Sequence, residues 1–417
     1  MASPRKTSLS INYKGKKLKS EINKYIESYS FTEVASGESD SISVSLHSID
    51  GKWINEYMPE KGDSISSSII VENWSKEGDK KTINCGSFTI DDISFTGRPL
   101  SGTIGAVSVP ANEDFKATKR TKTWQNTNIK EIASEIAKKA GITLYYEAGT
   151  VKITEREQDA TDSSFLSSLC TEYGLALKVF NNKLVIFDES VYEKKAKVAT
   201  IKEEDIIGKW SYNTTLQGSY TGARLSYSDP DSDDTITVEV GTAGRIYEFS
   251  TQADSRYDAE LKATAMVNQA NKKITTMSVK VMPTKANMAI IASSVVEIAG
   301  LGKLSGNYYV DKVVHNVSSN GYTIALTLHK VNTPIATPSA KAVSNAISNA
   351  SGNYTVKPGD NLWSIARAYY GNDNIVNNVS KIYNANKDVI EAAAKAHGLS
   401  SSDNGHWIYP GTVLIIP

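Results

Sequence analysis

Two cysteines in 417 residues, Cys85 and Cys170, are too few for a disulfide scaffold, and without CxxC spacing they offer no zinc or redox motif. Synthesis in a reducing cytosol is therefore expected. Long apolar runs are missing as well: the most apolar stretch, 288–300 (MAIIASSVVEIAG), is broken by serines and Glu297. The basic opening MASPRKTSLS leads into no apolar segment, so neither a signal peptide nor a membrane span is expected. Net charge is absent too. With 46 Lys+Arg against 46 Asp+Glu, no global field steers the chain toward nucleic acid or anionic lipid, and neither is expected as a partner. The five histidines, His47, His315, His329, His397 and His406, are scattered and form no HExxH or similar spacing, so no metal and no cofactor is expected. Phenylalanine is scarce while tyrosine is not: 8 Phe stand against 21 Tyr. Tyrosine buries its ring while keeping its hydroxyl paired, which suits half-wet surfaces between subunits.

What is present suggests about three folded units, at roughly 150 residues each. In residues 1–110 short alternating runs, such as 41–46 (SISVSL) and 64–71 (SISSSIIV), are separated by Gly, Pro and Asp, the pattern of an antiparallel sheet or barrel with one wet face. Residues 111–190 change period. Ile129, Ile132, Ala133, Ile136, Ala137 and Ala140 recur at helical spacing, with Asn128 and Glu131 placed as a capping box and Gly141 as the stop. A second helix over 163–173 and a hairpin turning at Asn181-Asn182 complete a small α+β domain. Residues 191–330 return to strands around one helix, 257–271. Residues 331–353 read as a linker rich in Pro, Ser, Ala and Asn, with Ala342, Val343, Ala346 and Ile347 able to form a short helix.

Residues 354–417 contain YTVKPGDNLWSIARAYYG, then IVNNVSKIYNAN, then IYPGTVLIIP: strand, helix, helix, strand. Pro358-Gly359 turns the chain, Asp360 or Asn361 caps the first helix, and Leu362, Ile365, Ala366 and Tyr369 face its core. This segment resembles the LysM domain, whose hallmarks are GDTLWSIA near the start and IYPGQ.L.IP at the end. Asn361 and Thr412 replace the usual Thr and Gln, and 391–407 is longer than the family norm. The resemblance implies a groove for N-acetylglucosamine-containing glycans. Its walls would be Gly359, Asp360, Asn361 and Leu362 on one side, with Asn386, Ile408, Tyr409, Pro410 and Gly411 opposite. The same residues also serve as turn, cap and core, which a small domain without disulfides needs.

The remaining four-fifths carries an ordered series: TEVASGESDSISVSL, GSFTIDDISFTG, VPANEDFKATKRTKTWQNTNIKEIASEIAKKAGI, DATDSSFLSSLCTEYGLALKV and GNYYVDKVVHNVSSNGYTIALTL. The series resembles the baseplate hub proteins of contractile phage tails and phage-tail-like bacteriocins, the late control family. That resemblance implies a mostly β, α+β chain: two barrel-like antiparallel β domains, an intervening small α/β domain and the C-terminal βααβ LysM domain. It further implies a homotrimeric ring joining a tail tube protein to a spike or needle protein, among other baseplate subunits. A hub with a LysM domain points to a phage, prophage or bacteriocin-like particle directed at bacteria, Gram-positive ones in particular, whose peptidoglycan is a further possible partner.

LysM modules also accompany peptidoglycan hydrolases, so a tail-associated hydrolase is the alternative reading. The residues do not favour it, and no catalytic residue is assigned. Cys170 falls on the apolar face of a helix with Phe165, Leu166 and Leu169, where a thiol is core and not nucleophile. Glu131 and Glu135 lie on the polar face of theirs. In DPDSDD, Asp229, Asp231 and Asp233 stand at the first, third and fifth positions of a calcium loop, but Asp234 occupies the glycine position and Val240 the bidentate one, so we expect a polar hairpin tip. Lys116, Lys119, Arg120 and Lys122 with Trp124 form a basic loop suited to a subunit contact or, less well, to nucleic acid.

Overall fold

The structure, a computed structural model, describes residues 4–14, 16–17, 24–47, 50–74, 76–108, 114–228, 235–336, 353–370 and 375–416. The aspartate-rich tip at 229–234, the short helix expected near 342–347 and the helix stop at Gly371 lie outside them. The chain forms two compact units, one of Met1–Gly218 with Lys272–Thr333, the other of Ser219–Asn271 with Pro334–Pro417.

The first unit is built on one 13-stranded sheet. Its alternation follows the sequence. In the strand Ser41–His47, Ile42, Val44 and Leu46 are buried while the intervening serines are half-exposed, and in Ser64–Glu72 Ile65, Ile69 and Val71 take the buried face. Strands from the beginning and end of the unit join edge to edge: Ile26–Val34 pairs antiparallel with Gly306–Ser318, Val34 opposite Lys312 and Ser28 opposite Ser318. The two β-rich stretches therefore share a core, in which Tyr29, Phe31, Tyr309, Val313 and Leu328 all take part.

Between them, the helices Ile129–Lys139 and Asp162–Glu172 and the three-stranded sheet of Leu175–Phe180, Lys183–Asp188 and Thr143–Glu147 enclose a separate core of Ile132, Ile136, Phe165, Leu166, Leu169, Leu184 and Ile186. Asn128 caps the first helix, its Oδ1 accepting from the Glu131 amide at 2.9 Å; the Glu131 carboxylate turns to the Thr127 hydroxyl instead, so only half of a capping box forms. Gly141 (φ +70°) and Gly174 (φ +69°) end the two helices, and Asn181 and Asn182 (φ +46° and +60°) make the hairpin turn. The expected basic loop is instead a short helix, Asp114–Ala117, which holds Lys116, followed by a strand that holds the rest. Lys119–Asn128 pairs antiparallel with Lys152–Thr161, and because both strands are polar on two faces their alternation carries no hydrophobic signature.

In the second unit, a sheet ordered Thr235–Gly241, Gly222–Ser228, Ile246–Ser250 packs with the helix Arg256–Lys272 through Leu225, Val238, Ala259, Ala263 and Val267. Residues 353–416 follow the expected strand, helix, helix, strand order: Asn353–Thr355, Leu362–Tyr370, Ile375–Ala396 and Val413–Ile415. The second helix runs ten residues past the expected IVNNVSKIYNAN, absorbing the start of the lengthened stretch, since 387–396 (KDVIEAAAKA) is rich in helix formers and places Ile390 and Ala394 in the core.

Candidate functional site

The candidate site is the lip and wall of the C-terminal module. Its floor is a two-stranded ladder, Tyr354 opposite Leu414, prolonged by Val356 donating to the Thr412 carbonyl and Gly411 donating to the Val356 carbonyl, both at 2.8 Å. The lip is the turn 357–360. Gly359 adopts φ +82°, a conformation that side chains with a Cβ rarely accept. Asp360 closes the turn: its Oδ2 accepts from the Lys357 amide at 2.8 Å and from the Tyr354 hydroxyl at 2.5 Å. Burial raises the Asp360 carboxyl above its ordinary range, against the pull of those hydrogen bonds and of nearby Arg256 and Lys357. Asn361 is the helix cap, accepting from the Ser364 amide at 2.7 Å while its own amide donates to the Ser364 hydroxyl at 3.0 Å.

Leu362 and Asn386 are buried, 1% and 3% exposed. Leu362 belongs to the core with Ile365, Ile382 and Leu414; Asn386 pairs in both directions with the backbone of Ile415. Ile408 packs on that core from its edge, and Pro410 and Gly411 are exposed. Tyr409 stacks on His397, ring centroids 3.8 Å apart and planes within 6°. The lengthened stretch is itself anchored. Glu391 accepts from the Ser402 amide and hydroxyl and from the Tyr383 hydroxyl at 3.0, 2.5 and 2.9 Å, and Gly405 is so close that a Cβ there would lie 2.4 Å from Leu362 Cδ1. Three aromatic groups that sequence reasoning left out thus border the site: His397 on the Tyr409 ring, and the exposed Trp363 and Trp407. The Trp363 position was legible in DNLWSIA, where a tryptophan follows the core leucine.

Elsewhere, three of the basic residues singled out in the sequence are engaged within the first unit. Lys119 pairs with Asp159 at 2.8 Å, Arg120 with Asp162 at 3.0 Å and Lys122 with Glu135 at 2.5 Å, the last also lying 3.6 Å above the Trp124 ring. Cys170 is buried among Leu166, Leu169 and Phe165, and burial pushes its thiol up to about 12, away from the thiolate a nucleophile needs. Among the described residues no three His, Cys, Asp or Glu side chains are grouped to hold a metal ion, and no helix is long and apolar enough to cross a membrane.

Comparison with known proteins agrees with this architecture. Residues 354–417 match the LysM domain. A probable baseplate hub protein of Escherichia phage 186 is 22% identical over 354 residues, covering 72% of this chain and 87% of that one. The tail protein of Neisseria meningitidis MC58 shares the fold at 12% identity and TM-score 0.59, over 78% of this chain and 96% of the other. An Escherichia coli component of the type VI secretion system, itself described as structurally similar to bacteriophage T4 tail proteins, gives TM-score 0.50 at 9% identity over 78% and 77%. The chain is thus homologous to the probable baseplate hub protein and shares its fold with these tail and secretion-system proteins. It carries a LysM domain at its C-terminal end.

Proposed function

We propose that the chain is the structural hub of a baseplate, three copies of which close a ring between the tail tube and the central spike, and that its LysM domain meets peptidoglycan glycan or docks within the baseplate. The relationship to the phage 186 protein carries this reading, because it extends over nearly the whole of that relative and is not confined to a shared module. The surface of the first unit supports it: Ile54, Met58, Trp210, Leu216 and Met282 are 39–69% exposed, apolar area that a permanent interface covers. On this reading the chain is not an enzyme, and it is assembled from the bacterial cytoplasm into a phage tail or tail-like particle. Its β-rich segments 1–110 and 191–330 form the ring, with 111–190 set between them.

Reconstruction of the intact particle tests the proposal. Three copies per tail end are expected, each neighbour contact burying roughly 2,000 Å² or more. One or six copies would overturn it.

A further inference from the structure

In the second unit the lip of the LysM groove is already occupied by protein. A Cβ built on Gly359 would lie 2.6 Å from Ile236 Cδ1 and 2.9 Å from the Tyr227 hydroxyl oxygen. Ile236 and Tyr227 stand opposite each other on the paired strands Thr235–Gly241 and Gly222–Ser228, and both are buried. The lip is therefore seated on the sheet of the 219–271 segment, and a side chain at Gly359 would have to displace the ends of Ile236 and Tyr227.

Charge surrounds this seat in complementary order. On the helix Arg256–Lys272, Arg256 and Glu260 are joined by a 3.2 Å ion pair. Across from them the lip presents Lys357 and Asp360. The Lys357 charge acts on Glu260 and the Arg256 charge on Asp360, each attracting its opposite. The same helix holds the chain where it leaves for the module, since Asn268 donates to the Ile335 carbonyl at 2.9 Å and accepts from the Ile335 amide at 2.8 Å.

We propose that the 219–271 segment is the receptor for the LysM lip: a latch in which sheet and helix take the place of a sugar at Gly359 and Asp360. Protein and glycan then compete for one surface. The module is held against its own chain until the latch opens, and its apparent affinity for glycan is reduced by the fraction open. The contact stands on the geometry alone; the gating of glycan rests on the functional reading of the module above.

Two measurements on the full chain test the two parts. The first is amide ¹⁵N relaxation of residues 353–416. The latch requires the module to tumble with the rest of the unit, and Gly359→Asn, which tolerates positive φ but inserts a side chain against Ile236 and Tyr227, should release it with a several-fold shorter correlation time. Independent tumbling of the unmodified module overturns the latch. The second is co-sedimentation with insoluble peptidoglycan, using Arg256→Glu, a change outside the groove that sets like charges against Glu260 and Asp360. Roughly tenfold tighter binding than the unmodified chain is expected. Equal, measurable binding by both chains overturns the gating. If Gly359→Asn frees the module but neither the unmodified chain nor Arg256→Glu sediments, the latch stands and the glycan reading fails.

Discussion

Asn386 and Ile415 hold the two ends of the LysM fold together: the Asn386 amide nitrogen donates to the Ile415 carbonyl and its oxygen accepts from the Ile415 amide, each at 2.6 Å. A second donation, to the Ile382 carbonyl at 2.8 Å, uses the remaining amide proton. Two of these three hydrogen bonds tie the second helix to the closing strand, and the third stays within the helix. A residue implied by resemblance to line the groove is thus placed where the fold needs it.

Replacing Asn386 with Ala should destabilise the module by roughly 2–4 kcal/mol, because it strands a buried amide and carbonyl of the closing strand. Hydrogen exchange of residues 353–416 in the full chain checks this. Protection unchanged from the unmodified protein would show that Asn386 has no such role.

Gly405→Ala should weaken the same module by a comparable amount, roughly 2–4 kcal/mol, through the left-handed backbone and the collision with Leu362. Gly398→Ala, whose Cβ meets nothing within 4 Å, should carry only the backbone penalty. Comparing denaturant midpoints of the two variants separates strain from contact.

Asn361 and Tyr409 make separable demands. Asn361→Ala should lose the helix cap, about 1 kcal/mol, while Asn361→Asp keeps it. Tyr409→Ala gives up the stack on His397 and any flat face offered to a sugar, so peptidoglycan binding should drop while the helix remains capped. Calorimetry with chitin oligomers, run beside thermal melts, shows which change affects which property.

Cys170→Ala should leave particle activity intact apart from a loss of about 1–2 kcal/mol of stability, as expected for a buried thiol. Zymography of the unmodified chain should show no clearing of peptidoglycan. Normal assembly with abolished killing or infectivity in the variant would restore the hydrolase reading.

His329 sets an alkaline limit on the first unit. Burial pulls its pKa down, but Nδ1 lies 2.8 Å from Asp311 and Nε2 3.4 Å from Glu193, and together these carboxylates hold it up to about 9. Since the folded value exceeds the unfolded one near 6.5, the native state binds the extra proton. The contribution is complete below about pH 6.5 and is lost as pH rises to about 9, roughly 3 kcal/mol in all. Denaturant unfolding between pH 6 and 9.5 should show this decline, and His329→Gln should flatten it.

Local chemistry was legible in the sequence wherever a few neighbouring residues suffice to specify it. Asn128 as a cap, Gly141 and Gly174 as stops, Asn181-Asn182 as a turn and the alternation of 41–46 depend on contacts three or four residues apart, and each has the expected backbone. The LysM hallmarks and the ordered hub series belong here too, because they are patterns along the chain. Tertiary structure alone decided which strands meet. That Val34 lies opposite Lys312 follows from burying Phe31, Val313 and their neighbours in one core, a condition set by residues nearly 300 positions apart and invisible to periodicity. The pairing of Lys178 with Asp40 at 3.4 Å, both buried, is of the same kind: neither residue's surroundings along the chain distinguish it from a surface charge. So too with Gly359, which the sequence marks as a turn glycine, while only the folded chain brings Ile236 against it, since a turn is specified locally and a contact surface is not.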